Sequence, residues 1–462
     1  MTLTVLSDPQ VQAILEGLNL DELDQFRCVL AEALHEFSNN DGFYQQPHRL
    51  STVDPVSRAA SLYMPVSGPE GLGCKVVCLP STDASDDSSE IPSSLSCPPR
   101  PTGVVNILSP AGQPLGLIHA TTLTAFRTAL GSACLLNRRN QVKIITVFGS
   151  GTQAYWHVRI ALMLRGSTIK RVNIINRRFS DNAGHILKSF TAIPPDVRDR
   201  EGWSTTKFGI LTPTFHEYER LLKEQVRSSD VIYCCTPSRK DLFDASILTS
   251  HEGRKKGRLI VAVGSYTPHM RELPEALLVQ ATKQHDGNRR HFHKHAEEAG
   301  VIVVDTLEGV LKEAGEIIAA RISPNQLVEL GELVMLNRLA VEESEATTPV
   351  CQTPPATEQP HDYFDQGDKK LSVSTLLGDP ARSPTSSPGG HSRKPSLPMP
   401  FRKSSSSSSD GEKKKEDSLA RWLRDGTVVY KSVGLAIMDL VVGMQLIKLA
   451  RSKGIGTQIE GF

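Results

Sequence analysis

The chain has 462 residues, and its 52 Lys and Arg are matched by 51 Asp and Glu, so the formal net charge is +1 at pH 7. Nucleic-acid-binding proteins usually carry a basic domain or stripe, and this balance argues against that class. The length exceeds what one hydrophobic core usually serves, so it predicts two or three units.

Metal and disulfide chemistry has little support in the residue pattern. The eight cysteines lack paired spacing, and the interval from Cys74 to Cys78 has no second pair that would complete a zinc site. His291, His293 and His295 alternate in a basic run without a carboxylate or cysteine companion. We therefore expect reduced thiols and no metal.

The N-terminal residues, MTLTVLSDPQVQAIL, lack a basic segment followed by an apolar core. No secretory signal is predicted, and a cytoplasmic protein is expected. Ser7 and Asp8 precede Pro9 as at a helix start. Apolar residues then recur at helical spacing as far as Leu34, with a break near Asn19, which predicts one or two amphipathic helices.

Predicted strands occupy the middle of the chain. Two of them, at 104–108 and 115–119, follow a Ser-, Asp- and Pro-rich stretch at 81–101 that we expect to be an exposed loop. From residue 143 onward, short runs alternate with helical stretches: KIITVFG, VNIINR, VIYCC, RLIVAVG and VIVVD. Each run is apolar on successive residues, as in strands covered by helices on both faces. The fold class is therefore α/β, with a Rossmann-type, doubly wound parallel sheet.

The composition changes at about 346–416 to Pro, Ser, Thr, Gly and charged residues. Such a segment cannot offset its ordering entropy by burial, so we expect a disordered insertion. Apolar patterning returns at Trp422 and includes a stretch at 433–450. That stretch contains Asp439 and Lys448, which a membrane-spanning helix would rarely tolerate. A packed helix is therefore predicted there, with no membrane association.

The sequence VFGSGTQAYWHVRIAL places Gly149 and Gly151 between an apolar strand and a helix. The first glycine permits a tight turn, the second lets the backbone approach a pyrophosphate, and the helix N-terminus offers free N–H groups. Ala154 takes the place of the usual third glycine. Nucleotide binding through Gly149, Gly151, Thr152 and Gln153 is predicted, and the alternative is a purely structural turn.

The second strand of this unit ends at Asn176, and Arg177 and Arg178 follow. An NAD-preferring site usually carries an acid at this place. Two guanidinium groups can instead pair with a 2′-phosphate, so these three residues are predicted to bind the cofactor, with NADP(H) preferred and NAD(H) also accepted. The alternative is that the arginines only solvate the strand end.

Motifs along the chain resemble those of the ornithine cyclodeaminase and mu-crystallin family. In family order they are QPHR, YMP, GCKVV, LTAFRTA, GSGTQA, VGSYTPHMREL, ELGEL and YKSVGLAIMDL. The resemblance covers nearly the whole chain outside the inserted loops. It implies a Rossmann NAD(P)-binding domain and an α+β domain, formed from both chain ends, that binds substrate and makes a homodimer.

The domain ranges expected on this basis are as follows. Residues 1–125 give the N-terminal part of the substrate-binding and dimerisation domain, 126–322 the NAD(P)-binding domain, 323–345 and 417–462 a return to the first domain, and 346–416 the disordered insertion.

Family members bind amino or imino acids, so the resemblance implies fixed cations near the nicotinamide. Arg49, Lys75 and Arg127 stand at the matching positions as candidate catalytic residues. A guanidinium can clamp a carboxylate, and a lysine can donate a proton once burial lowers its pKa. Glu272 is a candidate acid or lysine partner, with an exposed carboxylate at a helix start as the alternative. Further cofactor contacts are expected from Thr236, Gly264, Ser432, Val433 and Gly434, and the last three are expected to form a loop that closes over the nicotinamide.

Tyr266 is a departure from the family's cyclodeaminases, which carry an aspartate in the loop after the fourth Rossmann-type strand. A tyrosine cannot supply a carboxylate base at neutral pH. The chain is therefore closer to the ketimine reductase branch. We expect an NADPH-dependent oxidoreductase acting on C=N groups, whose substrate is a small anionic cyclic ketimine or imino acid of the pyrroline- or piperideine-carboxylate type. The alternatives are a cyclodeaminase-type lyase that forms proline with NAD and a non-catalytic, mu-crystallin-like binder of NADPH and a small acid.

Overall fold

The computed structural model of the chain describes residues 2–39, 42–56, 59–79, 101–283, 300–334 and 419–462. The predicted exposed loop at 81–101, apart from its last residue, lies outside the described residues. The histidine run at 291–295 and the predicted disordered insertion at 346–416 also lie outside them.

The described strands and helices alternate along the chain. The strands are β1 (Thr2–Leu6), β2 (Leu50–Val53), β3 (Ala60–Gly68), β4 (Gly71–Leu79), β5 (Thr102–Leu108), β6 (Pro114–His119), β7 (Ile144–Phe148), β8 (Arg171–Ile175), β9 (Lys207–Leu211), β10 (Val231–Cys234), β11 (Leu259–Ala262), β12 (Ile302–Val304), β13 (Leu327–Glu329), β14 (Val428–Lys431) and β15 (Thr457–Glu460). The helices are α1 (Asp8–Glu16), α2 (Leu20–Ser38), α3 (Ala120–Leu136), α4 (Thr152–Arg165), α5 (Asp181–Ala192), α6 (Pro195–Arg200), α7 (Tyr218–Ser228), α8 (Ser246–Thr249), α9 (His251–Arg254), α10 (Glu275–Ala281), α11 (Leu307–Glu313), α12 (Gly315–Ala319), α13 (Leu330–Val334) and α14 (Ala436–Ser452).

A mixed sheet contains strands from both chain ends, in the order β15-β1-β6-β5-β4-β3-β2. Strands β1 and β6 pair in parallel, and the other neighbours are antiparallel. Helices α3 and α14 pack against strands of this sheet. Among the described residues, no helix combines the length and the apolar character that crossing a membrane requires.

Within the described ranges, the second sheet has eight strands, all parallel, in the order β13-β12-β14-β11-β10-β7-β8-β9. The predicted α/β class, with a Rossmann-type sheet beside a sheet built from both chain ends, is confirmed. Five of these strands match the predicted runs. Strand β9 was not predicted, because its residues KFGIL lie at the sheet edge and are mostly exposed or half-buried. The loop that carries Tyr266 consequently follows the fifth strand of this unit, β11, and not the fourth.

Strand pairing differs from the expected ranges near the C-terminus. Residues 323–345 and 417–462 were both assigned to the first domain, but β13 and β14 pair within the parallel sheet. Strand β14 lies between β11 and β12, and all four of its residues are buried. Its first three residues, VVY, are largely apolar, and the buried ammonium group of Lys431 pairs with Glu316 (3.1 Å). Helix α14 and β15 do join the mixed sheet. The division into domains otherwise stays a prediction.

The N-terminal helices begin where the capping residues predicted. The amide of Ser7 donates to the Gln10 side chain (3.0 Å) at the start of α1. Asn19 caps α2 by accepting from the Glu22 amide (2.8 Å), and the Glu22 side chain accepts in return from the Asn19 amide (3.0 Å). Two helices are therefore present, separated at Asn19.

Candidate active site

The chain order of the parallel sheet reverses between β7 and β10, so a crevice is expected at the carboxyl ends of these two strands. Ligands of open α/β sheets bind at such a point. Gly149 directly follows β7 and has a φ of +104°, which side chains larger than hydrogen disfavour. A Cβ there would also lie 2.9 Å from the carbonyl oxygen of Cys235, in the loop after β10. The first glycine is thus required by both backbone conformation and close approach.

Gly151 precedes the first turn of α4 and faces open space. A Cβ on this residue would meet no described heavy atom within 4 Å. The first hydrogen bond within α4 runs from the Tyr155 amide to the Gly151 carbonyl oxygen (3.0 Å), so the N–H groups of the preceding turn, including those of Thr152 and Gln153, have no partner inside the helix. Ala154 is fully buried, as close helix packing requires. An open space under free amides fits the pyrophosphate of a dinucleotide.

The loops after β10 and β11 meet beside this crevice. Thr236 donates to Glu272 Oε1 through its amide (2.7 Å) and its hydroxyl (3.0 Å), while the amides of Gly264 and Ser265 donate to Glu272 Oε2 (2.8 and 3.2 Å). Burial raises the pKa of Glu272 to about 7. The alternative of an exposed helix-start carboxylate is wrong, because the residue is fully buried. All its described hydrogen bonds are to these two loops and none is to Lys75, so its contacts are those of a positioning residue.

The segment after β14, with Ser432, Val433 and Gly434, is held by Asp305 at the end of β12. Asp305 Oδ2 accepts from the Ser432 hydroxyl (2.7 Å), the Val433 amide (2.9 Å) and the Gly434 amide (2.7 Å). Gly434 has a φ of +94° and lies so close to Arg127 that a Cβ would be 3.2 Å from Nη2. The predicted nicotinamide loop therefore contacts a predicted substrate-binding cation.

Arg177 and Arg178 are exposed just beyond the end of β8. Asn176 orders this turn by donating from its side-chain amide to the carbonyl oxygen of Arg178 (2.9 Å). Because β8 is the neighbour of β7 in the sheet, the two guanidinium groups lie at the side of the crevice where an adenosine ribose would be expected.

Three elements distant in sequence bring Lys75, Arg127 and Asp439 together. Lys75 Nζ on β4 donates to Asp439 Oδ2 (2.8 Å), and Arg127 Nε on α3 donates to Asp439 Oδ1 (3.2 Å). The side chains are only 4%, 3% and 1% exposed, respectively. Two cations share one carboxylate, so this cation cluster carries one excess positive charge in a buried setting. A bound anion would balance this buried positive charge.

Burial lowers the pKa of Lys75 to about 8. The charge of Asp439 opposes this effect, whereas the nearby guanidinium groups of Arg127 and Arg49 add to it. The ammonium group therefore stays protonated at neutral pH and can release its proton more readily than an exposed lysine.

Arg49 already has partners on the described chain. Its Nη2 donates to the carbonyl oxygen of Tyr266 (2.9 Å) and forms an ion pair with Glu313 at the end of α11. The cleft that Arg49 and Glu313 line is also lined by Met64 and Gly434, and Gly434 contacts Arg127. Of the three predicted cations, Arg49 therefore lines the cleft, where its charge is matched by Glu313, and Arg127 lies behind Gly434 with Lys75 in the same cluster.

No family model matches the chain. A Delta(1)-pyrroline-2-carboxylate reductase of Bacillus cereus is 25% identical over 338 residues, covering 72% of this chain and 88% of that protein. A ketimine reductase mu-crystallin of Macropus fuliginosus is 26% identical over 313 residues, covering 66% and 80%. Over most of its length, the chain is thus similar to members of the ornithine cyclodeaminase and mu-crystallin family.

A solved structure shares the fold of this chain. The Delta(1)-pyrroline-2-carboxylate reductase of Thermococcus litoralis, in complex with NADH and L-proline, superposes with a TM-score of 0.60 at 18% identity. The match covers 99% of this chain and 100% of that one. The predicted resemblance is confirmed, and the family contains imine reductases as well as cyclodeaminases.

Three acidic residues of the site were not predicted in these roles: Asp305, Glu313 and Asp439. Asp439 was noted only as evidence against a membrane span, although a carboxylate in an apolar helix must be paired when it is buried. Asp305 follows the apolar run VIVV, so the sequence did indicate a polar residue at the end of a strand. Glu313 lies at the end of a short amphipathic helix, and we find no sequence signal that distinguishes it.

Proposed function

We propose that this protein is an NADPH-dependent reductase of a small cyclic ketimine or imino carboxylic acid, of the pyrroline- or piperideine-carboxylate type. The observation that carries the proposal is the contact between the predicted nicotinamide loop and Arg127, which joins the dinucleotide crevice to the buried cation cluster. Relatives named as pyrroline-2-carboxylate and ketimine reductases support the choice of substrate class.

The cofactor would be held mainly by backbone groups and ordered loops. These are the residues of the β7–α4 turn, the end of β8, the two loops tied by Glu272 and the segment tied by Asp305: Gly149, Gly151, Thr152, Gln153, Asn176, Arg177, Arg178, Thr236, Gly264, Ser432, Val433 and Gly434. When bound, the nicotinamide supplies the hydride that reduces the C=N carbon.

The chain's own contribution on the substrate side is charge and a proton. Arg127 and Lys75 hold the substrate carboxylate, because their cluster has a positive charge that Asp439 leaves unmatched. Lys75 protonates the imine nitrogen, since its lowered pKa permits release of a proton near neutral pH. Asp439 positions both cations. Arg49 lies on another wall of the cleft, where it already forms an ion pair with Glu313.

Purified full-length protein with NADPH and a panel of cyclic ketimine acids provides the test. We expect NADPH oxidation with Δ1-pyrroline-2-carboxylate or Δ1-piperideine-2-carboxylate, and formation of the corresponding saturated amino acid. Release of ammonia from ornithine without net NADPH turnover would favour the lyase instead. Tight NADPH binding without turnover on any ketimine would favour the non-catalytic binder. The homodimer stays a prediction, to be measured by light scattering on the same preparation.

A further inference from the structure

The candidate substrate cleft has two walls that differ in net charge. At the first end, Gly434 lines the cleft and contacts Arg127, whose cluster with Lys75 and Asp439 carries one excess positive charge. At the second end, Arg49 is neutralised by Glu313, and both side chains are 14% exposed. The two ends therefore present different electrostatic partners to one small ligand.

The second end has no cationic excess to offer a further anion. Burial raises the pKa of Glu313, the charges of Arg49 and His48 lower it, and the carboxylate of Asp305 raises it by a smaller amount. Glu308 lines the same cleft as Glu313. A second substrate carboxylate at this end would therefore face the carboxylates of Glu308 and Glu313 and a guanidinium that is already paired.

Like charges that are brought together in a partly desolvated site repel each other strongly, and this repulsion rejects wrong ligands. A substrate with one carboxylate matches the single unpaired charge of the cation cluster. A substrate with two carboxylates would have to displace Glu313 from Arg49 or leave one carboxylate without a partner.

Resting on the proposed function, the geometry points to Glu313 as the specificity-determining residue of this site: by pairing with Arg49 across the cleft, it restricts the substrate to imino acids with a single carboxylate. Arg49 is then a partner of Glu313 and Tyr266, and the substrate carboxylate is held at the Lys75 end.

A different role for the same pair makes the opposite prediction. If Glu313 only pairs with Arg49 until the substrate carboxylate takes its place, removing the charge of Glu313 lowers KM for the monocarboxylate. If Glu313 rejects a second carboxylate, removing its charge helps only dicarboxylates. The substitution Glu313→Gln separates the two, because it keeps the side-chain shape and removes the charge.

The experiment measures kcat/KM of wild type and Glu313→Gln with Δ1-piperideine-2-carboxylate and Δ1-piperideine-2,6-dicarboxylate. We expect wild type to prefer the monocarboxylate by about tenfold or more, equivalent to about 1.4 kcal/mol. Glu313→Gln should raise kcat/KM for the dicarboxylate by about tenfold and change that for the monocarboxylate by less than about threefold. Equal use of both substrates by wild type, or a gain confined to the monocarboxylate, would overturn the inference.

Two further variants serve as controls. Glu313→Asp keeps the charge and should retain the preference for one carboxylate. Glu224→Gln removes the same charge from α7, from an exposed side chain that pairs with Arg220 (3.3 Å) and is not among the residues that line the cleft. It should leave the preference unchanged, because exposed pairs are screened by solvent. Equal loss of discrimination in Glu224→Gln would show a general charge effect and contradict the proposal.

Binding by calorimetry of the saturated acids, piperidine-2-carboxylate and piperidine-2,6-dicarboxylate, to the NADP⁺-loaded protein separates this inference from the proposed function. A wild type that turns over neither ketimine but binds the monocarboxylate more tightly would defeat the reductase assignment and retain the charge selection. A protein that binds both acids equally would defeat the charge selection, whatever its turnover.

Discussion

The dinucleotide crevice and the cation cluster use different parts of the chain's chemistry. The crevice offers backbone amides and open space at one turn, so its function depends on the absence of side chains at Gly149 and Gly151. The cluster consists of three buried ionised side chains, each held by another. Added side-chain atoms should therefore impair the crevice, and altered charges should impair the cluster. Substitutions of each kind test this difference.

Lys75→Met should have the largest effect, because it removes the proposed proton donor while keeping a side chain of similar length. We expect kcat to fall by about 10²–10⁴-fold, the usual range for a general acid. The affinity for NADPH should change little, since Lys75 contacts Thr124 and Asp439 and none of the predicted cofactor residues. Single-turnover kinetics and NADPH titration measure the two quantities.

The pH dependence of wild type gives an internal control for that variant. A proton donor must be protonated in the free enzyme, and the pKa of Lys75 is about 8. The value of kcat/KM should therefore be level at lower pH and fall as the pH rises through about 8. Lys75→Arg should lose this decline, because an arginine keeps its proton. A wild-type profile that stays flat through this range would remove Lys75 from the role of acid.

Gly151→Val should have the next largest effect and should act on binding alone. A side chain at this position enters space that is free of described atoms, so thermal stability should be nearly unchanged. The same side chain blocks the surface proposed for the pyrophosphate, and Kd for NADPH should rise by about tenfold or more, which is about 1.4 kcal/mol.

Gly149→Ala is the matched comparison for Gly151→Val. Here the added Cβ meets the Cys235 carbonyl oxygen at 2.9 Å, and φ is +104°. We expect a loss of about 1–3 kcal/mol in the free energy of unfolding, typical of a disfavoured backbone conformation. If Gly151→Val destabilised the fold equally and bound NADPH normally, the space above Gly151 would have no part in cofactor binding.

The same contrast explains what the sequence could predict. The β7–α4 turn is local, and its glycines, apolar strand and helix lie within about twenty residues, so a pattern reveals it. Lys75 and Arg127 were assigned through the family resemblance, but their common partner Asp439 lies 364 and 312 positions away from them. Pairing over such separations depends on how α3 and α14 pack on the mixed sheet. No local pattern carries that information.

Substitution of Arg177 and Arg178 should have the smallest effect, since both side chains are exposed and solvent weakens their interactions. Each change to Ala should reduce the preference for NADPH over NADH by about tenfold, because a hydrogen bond to a charged group contributes about 1.5–3 kcal/mol. Affinity for NADH should remain, since it lacks the 2′-phosphate. Arg171→Ala is the control: it removes an exposed arginine from the opposite end of the same strand, far from the crevice edge, and should leave the ratio unchanged. Wild-type protein that binds NADH more tightly than NADPH would reverse the expected preference, and the two arginines would then only solvate the end of β8.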